Sequence, residues 1–324
     1  MLHGKNLILA TKPFAKEIRS ESWFHTLSTL SLLIIMLGGT IWMPYVLLKL
    51  ACSILSGLLL IRMFIIYHDY QHHTILTKSY FANVIMTVFG MYMLSPTSIW
   101  KRSHDHHHNN NSKLFSASIG SYPIATRKKF LEMSSKEKFI YKAIRHPFTI
   151  AMGYFSMFLI GMCLNSFLSN PRKHFDAIVT LVLHITAAVL IFWFLGWQTW
   201  FFFFFLPFFI SFGLGAYLFY AQHNFPGVSF YESKNWVYEK AALESSSFMV
   251  MNPLMAWFTG NIGYHHIHHL NSKIPFYRLP EVMKHFNELQ NCKTTSLKFN
   301  EVCACLRLKV WDQEKNQMIG LKDI

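Results

Sequence analysis

Residues 45–73 read YVLLKLACSILSGLLLIRMFIIYHDYQHH. From Tyr45 to Tyr67 the stretch is apolar apart from Lys49 and Arg62. At 1.5 Å per residue it is long enough to cross a hydrocarbon layer that takes about 20 residues. At His68 it turns polar, and imidazoles and a carboxylate follow in His68-Asp69-Tyr70-Gln71-His72-His73. A lipid-crossing helix that ends in histidines delivers them to one membrane surface. Arg62 lies about one turn before that end, and a side chain that snorkels to the headgroups is expected there.

The preceding apolar run, Leu27–Met43, is separated from this one by little except Pro44, so the two form a hairpin. Further apolar stretches lie at Ala82–Leu94, Phe148–Leu168, Ala177–Leu195 and Trp200–Tyr220. Apolar residues make up 52% of the 324 and charged residues only 14%, against about 25% charged in a soluble domain. A disordered chain and an ordinary soluble globule are both excluded. Five cysteines are sparse and odd in number, which excludes a disulfide scaffold. The expected class is an all-α integral membrane protein.

Charge asymmetry orients it. Residues 101–146 carry ten Lys or Arg against three Asp or Glu, the strongest cytoplasmic signal in the chain. Residues 1–26 are mildly basic and lack the pattern of a cleaved signal peptide. If leader and basic region share a side, the hairpin supplies the crossings between them and Ala82–Leu94 lies in the interface. Arg172 and Lys173 put the next loop on the basic side too. Phe148–Leu168 is then interfacial, and Ala177–Leu195 pairs with Trp200–Tyr220. Four transmembrane helices plus interfacial helices are expected, with six crossings as the alternative. The chain reads as one domain: a cytoplasmic leader (1–26), a helical hairpin (27–67), a cytoplasmic histidine region (68–146), hydrophobic segments (148–220), and a cytoplasmic cap and tail (221–324). A strand is expected near Ala304–Val310.

The chain has 18 His, and most are grouped. Besides the first cluster there are His104-Asp105-His106-His107-His108 and His265-His266-Ile267-His268-His269, with His223 alone past the last apolar run. On helices, residues three and four apart share a face. His68 with His72, His104 with His107 and His108, and His265 with His268 and His269 therefore each form a one-sided set. His73, His106 and His266 point off those faces. Neutral imidazole binds Fe, Zn, Cu or Ni. Eight ligands and His223 exceed one ion but suit two, each taking four or five nitrogens, so the cytoplasmic cap is expected to be metal-binding. Asp69 and Asp105 are candidates to orient ligand imidazoles through the other ring nitrogen. Cys303-Ala304-Cys305 has an unusual spacing for a zinc site, and His184 in mid-run reads as a packed or hydrogen-bonded histidine.

At these residues the chain resembles the membrane fatty acid desaturase superfamily. HDYQHH (68–73), HDHHH (104–108) and HHIHH (265–269) within GNIGYHHIHHLNSKIP are similar to its three histidine boxes. QHNFPGVSFY (222–231), KAALESSSF (240–248) and LRLKVWDQEKNQMIG (306–320) resemble stretches of bacterial acyl-lipid desaturases of the Δ5 type. The resemblance implies two iron ions and O2 as cosubstrate. His68, His72, His104, His107, His108, His265, His268 and His269 would be ligands, with His223 as the additional one. It also implies a cis double bond introduced into membrane-lipid acyl chains, at a site on the cytoplasmic side of the bacterial inner (plasma) membrane. Animal acyl-CoA desaturases carry an Asn four residues before the additional His. Phe219 stands there, which weakens an acyl-CoA reading. No haem-type His-Pro-Gly-Gly stretch occurs, so an external, ferredoxin-like electron donor is expected.

Hydroxylases and ketolases use the same boxes and form the alternative within the superfamily. A zinc-dependent membrane hydrolase and a metal-binding transporter or sensor are alternatives of other classes, although transport would want ionisable groups on several helices at mid-membrane. The basic residues, Arg127-Lys128-Lys129 among them, frame apolar segments. That suits anionic headgroups or an acidic electron carrier and not nucleic acid.

Overall fold

The computed structural model describes residues 2–114 and 120–324; residues 115–119, inside the 68–146 stretch, lie outside the described residues. Among the described residues, three helical stretches are long and apolar enough to cross a bilayer: Arg19–Trp42, Val46–Gln71 and Phe175–Ala221. The protein is an all-α membrane protein in which, among the described residues, β-strands are only two or three residues long.

Arg19–Trp42 starts well before Leu27: its first turn exposes Arg19, Ser20 and Glu21, and hydroxyl residues further along face inward. Ser22, Thr26 and Thr29 are buried, and the Thr26 hydroxyl donates to the Ser22 carbonyl at 2.7 Å. A hydroxyl bonded back onto the preceding turn can be buried without an outside partner, so the apolar-run criterion cuts the helix short. Val46–Gln71 is the central helix: 61% of its apolar window is buried, against 28% for Arg19–Trp42 and 11% for 175–221. Gly57 lets it approach Leu206–Ala221, since a Cβ there would lie 2.9 Å from Ile210 Cβ and 3.0 Å from the Pro207 carbonyl.

The 175–221 stretch reverses at Gly196, whose φ of 79° and ψ of 167° leave the helical region; positive φ favours glycine. Rings equidistant from Gly196 meet across the turn: Phe192 with Trp200 at 6.0 Å between centroids and His184 with Phe208 at 4.9 Å. The two arms are thus antiparallel, as the separate runs Ala177–Leu195 and Trp200–Tyr220 suggest. Trp193 and Phe194 beside the turn are 79% and 74% exposed, the expected state of side chains that face lipid. His184 is held by Tyr154, with Oη and Nε2 2.5 Å apart.

Ala82–Leu94 appears as the helix Tyr80–Tyr92, which bends by 89° into Thr97–Asn110. Phe148–Leu168 divides into Pro147–Ala151, a π-helical Tyr154–Asn165 and a last turn, Ser166–Ser169.

Two sequence expectations are corrected. Arg62 does not snorkel. It is buried, donates through Nε to Thr29 Oγ1 at 3.2 Å and through Nη1 to the Trp257 carbonyl, and lies 4.1 Å over the Trp257 ring. Neutral acceptors and an aromatic face from two other segments stand in for the headgroups. The strand expected near Ala304–Val310 begins only at Val310. Phe299–Arg307 is helical, and Val310–Asp312 pairs parallel with Ala125–Thr126 and antiparallel with Gln317–Ile319. A short apolar run does not by itself separate strand from helix.

Candidate metal centre

The Val46–Gln71 helix presents His68 in its last turn and His72 as its C-cap. Thr97–Asn110 starts after Pro96 and carries His104, His107 and His108. His265–Leu270 carries His265, His268 and His269, and His223 follows the end of Leu206–Ala221. From these elements the chain builds two groups whose nitrogens lie within 4.8 Å of one another: His68, His72, His104, His108 and His268; and His107, His223, His265 and His269. Each second-box or third-box helix contributes to both groups, so the groups are adjacent.

Within the first group, His104 Nε2 lies 2.9 Å from His68 Nε2 and 3.0 Å from those of His72 and His108, and His268 Nε2 lies 3.0 Å from His108 Nε2. Within the second, Nε2 separations are 3.0 Å for His107 and His223, 2.8 Å for His265 and His223, and 3.1 Å for His269 and His265.

Two contacts fix the ring orientation. His223 Nδ1 lies 3.0 Å from the Ser245 carbonyl, which can only accept, so Nδ1 donates and Nε2 is bare. His68 Nδ1 lies 3.0 Å from Asp69 Oδ1, and the other Asp69 oxygen accepts the Phe276 amide at 2.7 Å. Bare Nε2 lone pairs facing one another repel unless a cation lies between them. Nitrogens at right angles around one ion, at roughly 2.0–2.1 Å, are about 3.0 Å apart. The observed spacing meets that condition, and the residues fit a metal in each group. Burial, followed by the charge of neighbouring imidazoles, holds His265, His268 and His269 well below the ordinary histidine range. Burial brings His223 to about 4 against the pull of the Ser245 carbonyl. Neutral imidazole is the form that ligates.

The off-face histidines stay out of both groups. His73 is exposed, His106 Nδ1 lies 3.4 Å from Asn110 Nδ2, and His266 is fully buried with Nε2 3.2 Å from the Leu289 carbonyl. Asp105, expected beside the imidazoles, is turned to Lys101 at 2.7 Å and is about half exposed. It follows His104 by one residue, about 100° around the helix. Among the described residues no cysteine joins either group.

Several contacts were not foreseen. Trp100 stacks on His104 with centroids 4.7 Å apart and planes at 21°; its position four residues before His104 was the available signal. Tyr238 Oη donates to the His269 carbonyl at 2.6 Å, and Lys273 Nζ donates to the His72 carbonyl. Those two partners are distant in sequence and leave no local mark.

A cavity of about 490 Å³ adjoins both groups. His68 and His104 of the first group and His265 of the second line it, together with Ile61, Phe64, Trp100, Met157, Phe158 and Phe212. Its wall is mainly hydrocarbon and aromatic, with a minority of polar side chains such as Ser156, Ser166, Ser211 and Gln222, which suits an extended apolar ligand.

Residues 40–301 match the family model described as fatty acid desaturase. The chain is 33% identical over 282 residues to a fatty acid desaturase of Bacillus subtilis (strain 168), covering 86% of this chain and 79% of the relative. It is 23% identical over 273 residues to the sn-1 oleoyl-lipid 12-desaturase of Synechocystis sp., covering 80% of this chain and 74% of the relative. These matches favour an oxidoreductase over the hydrolase, transporter and sensor alternatives. With its paired histidine groups beside a mainly apolar cavity, the chain belongs to the fatty acid desaturase family.

Proposed function

We propose that this desaturase introduces a cis double bond into acyl chains esterified in membrane lipid, with one iron in each histidine group. His68, His72, His104, His108 and His268 hold the first iron, and His107, His223, His265 and His269 hold the second. The observation that carries the reading is the apolar cavity whose wall includes ligands of both groups. Iron in the two groups supplies O2 activation, which no ordinary side chain provides for an unactivated C–H bond. The chain's own residues bind, orient and exclude. The apolar wall takes up the acyl chain and keeps water from the reacting carbons, while Asp69 and Ser245 hold two ligand rings in the metal-binding tautomer.

The balance of the reaction is –CH2–CH2– plus O2, two electrons and two protons giving –CH=CH– plus two waters. Two electrons must come from outside, and we assign them to a ferredoxin-like carrier drawn by the net charge of +14. Lateral entry from the bilayer spares the acyl chain about 0.8 kcal/mol of water exposure per CH2. The lipid-esterified substrate is also supported by the acyl-lipid activity named for the Synechocystis relative. The Δ5 position rests on the resemblance of 222–231, 240–248 and 306–320 alone.

In this reading Arg19–Trp42 with Val46–Gln71, and the two arms around Gly196, make four crossings. The histidine groups face the cytoplasmic side of a bacterial inner membrane. The basic 101–146 region and the common side on which both hairpins begin and end support that placement.

Expression in a host without desaturases, followed by gas chromatography–mass spectrometry with derivatisation to locate the bond, tests the function. A new monoene absent from the His268→Ala control is the expected result. A hydroxy acid or oxidised carotenoid with no new alkene would overturn it.

A further inference from the structure

Arg145 is fully buried, and among the described residues no carboxylate pairs with it. Its acceptors are all neutral. Nη1 donates to the Pro123 carbonyl at 2.9 Å; Nη2 reaches Asn224 Oδ1 at 2.7 Å, Tyr220 Oη at 3.1 Å and the Leu308 carbonyl at 3.3 Å. A second buried cation, Lys309, bonds the Arg145 carbonyl. Burying a guanidinium without an anion is unfavourable, and an apolar side chain of similar volume would suit packing better. Its position accounts for its presence.

His223 lies beyond the last residue of Leu206–Ala221, so helical geometry does not hold it. Its amide donates to the Tyr220 carbonyl at 3.2 Å, and Asn224 is its neighbour. The Asn224 amide donates to the carbonyls of Cys305 at 2.8 Å and Leu308 at 3.2 Å. Arg145 therefore grips the chain on both sides of His223 and ties it to Pro123 and to the C-terminal segment. It also lines, with His107 and His223, a small cavity of about 30 Å³, and its Nε has no protein partner. None of its hydrogen bonds reaches the five-histidine group.

We propose that Arg145 is a positioning residue for the four-histidine metal position. It fixes the 220–224 turn so that His223 Nε2 converges with those of His107 and His265. The proposal rests on the reading that each group holds a metal.

The test compares wild type, Arg145→Gln, Arg145→Lys and Asn224→Ala as full-length purified protein, by metal analysis per chain and electron paramagnetic resonance of the oxidised state. Asn224→Ala removes the acceptor on the turn and leaves the guanidinium in place. The expected result is two irons in wild type and close to one in Arg145→Gln and Asn224→Ala, with an isolated ferric signal replacing the coupled pair. Arg145→Lys, which keeps the charge and one donor, should fall between. Two irons with an unchanged spectrum in Arg145→Gln and Asn224→Ala, or loss of both irons in parallel, would overturn the proposal alone. Fewer than two metals in wild type would overturn the underlying reading and the proposal with it.

Discussion

The Asp69 carboxylate lies 3.0 Å from Nδ1 of His68 and is 1% exposed. Its second oxygen takes the Phe276 amide at 2.7 Å, so one buried carboxylate joins the first histidine segment to the turn that follows the third. Asp69→Asn keeps the shape but loses the charge that holds the imidazole proton. The expected effect is a loss of metal affinity on the order of 10–100-fold, measured by chelator competition on purified protein. Unchanged affinity would show that Asp69 serves only the Phe276 amide.

His268 and His266 lie two residues apart and separate ligation from packing. His268→Ala is expected to lower iron content and abolish turnover. His266→Ala should leave iron per folded chain unchanged while lowering stability by about 1–3 kcal/mol, because a buried ring and its bond to the Leu289 carbonyl are lost. Metal analysis and thermal unfolding in detergent distinguish the two variants.

The contrast bears on what a sequence can reveal. The eight clustered imidazoles were legible because helical spacing of three and four puts each set on one face, while His223 stood alone and was placed by inventory and resemblance. The break between Leu195 and Trp200 was legible as a break in the apolar run. Arg62 was misread because its partners, Thr29 and Trp257, lie far away along the chain. Arg145 carried no signal at all, since it sits among ordinary basic residues of an exposed, lysine-rich stretch. The start of Arg19–Trp42 was hidden by an exposed polar first turn and by the inward-facing Ser22 and Thr26, because hydroxyls score as polar wherever they point.

Gly215 lines the large cavity, and a Cβ built there meets nothing within 4 Å. Gly215→Leu should therefore fold, gaining up to about 1 kcal/mol from helix propensity, while occupying space meant for the acyl chain. Turnover of long chains should fall several-fold more than turnover of short ones. Competition between C14 and C18 substrates, read by gas chromatography, checks this; equal loss on both would contradict the cavity's role.

Lys309 supplies the pH dependence. Burial, then the neighbouring Arg145 charge, brings it from 10.5 to about 8. Below pH 8 the ammonium is charged in both folded and unfolded states, and the folded state carries the burden of desolvating it. Between pH 8 and 10.5 the folded protein has released the proton and the unfolded chain has not, so the unfolded state binds more protons and stability rises with pH. The rise is at most about 3 kcal/mol. Unfolding midpoints across pH 7.5–10.5 should climb in wild type and stay flatter in Lys309→Met; a parallel climb in both would assign the effect elsewhere.

The central claim is that the two histidine groups each take an iron. Elemental analysis of protein purified from iron-sufficient cells tests it most directly. The account predicts two irons per chain in active material, and a reproducible content of one zinc and no iron in active material would contradict it.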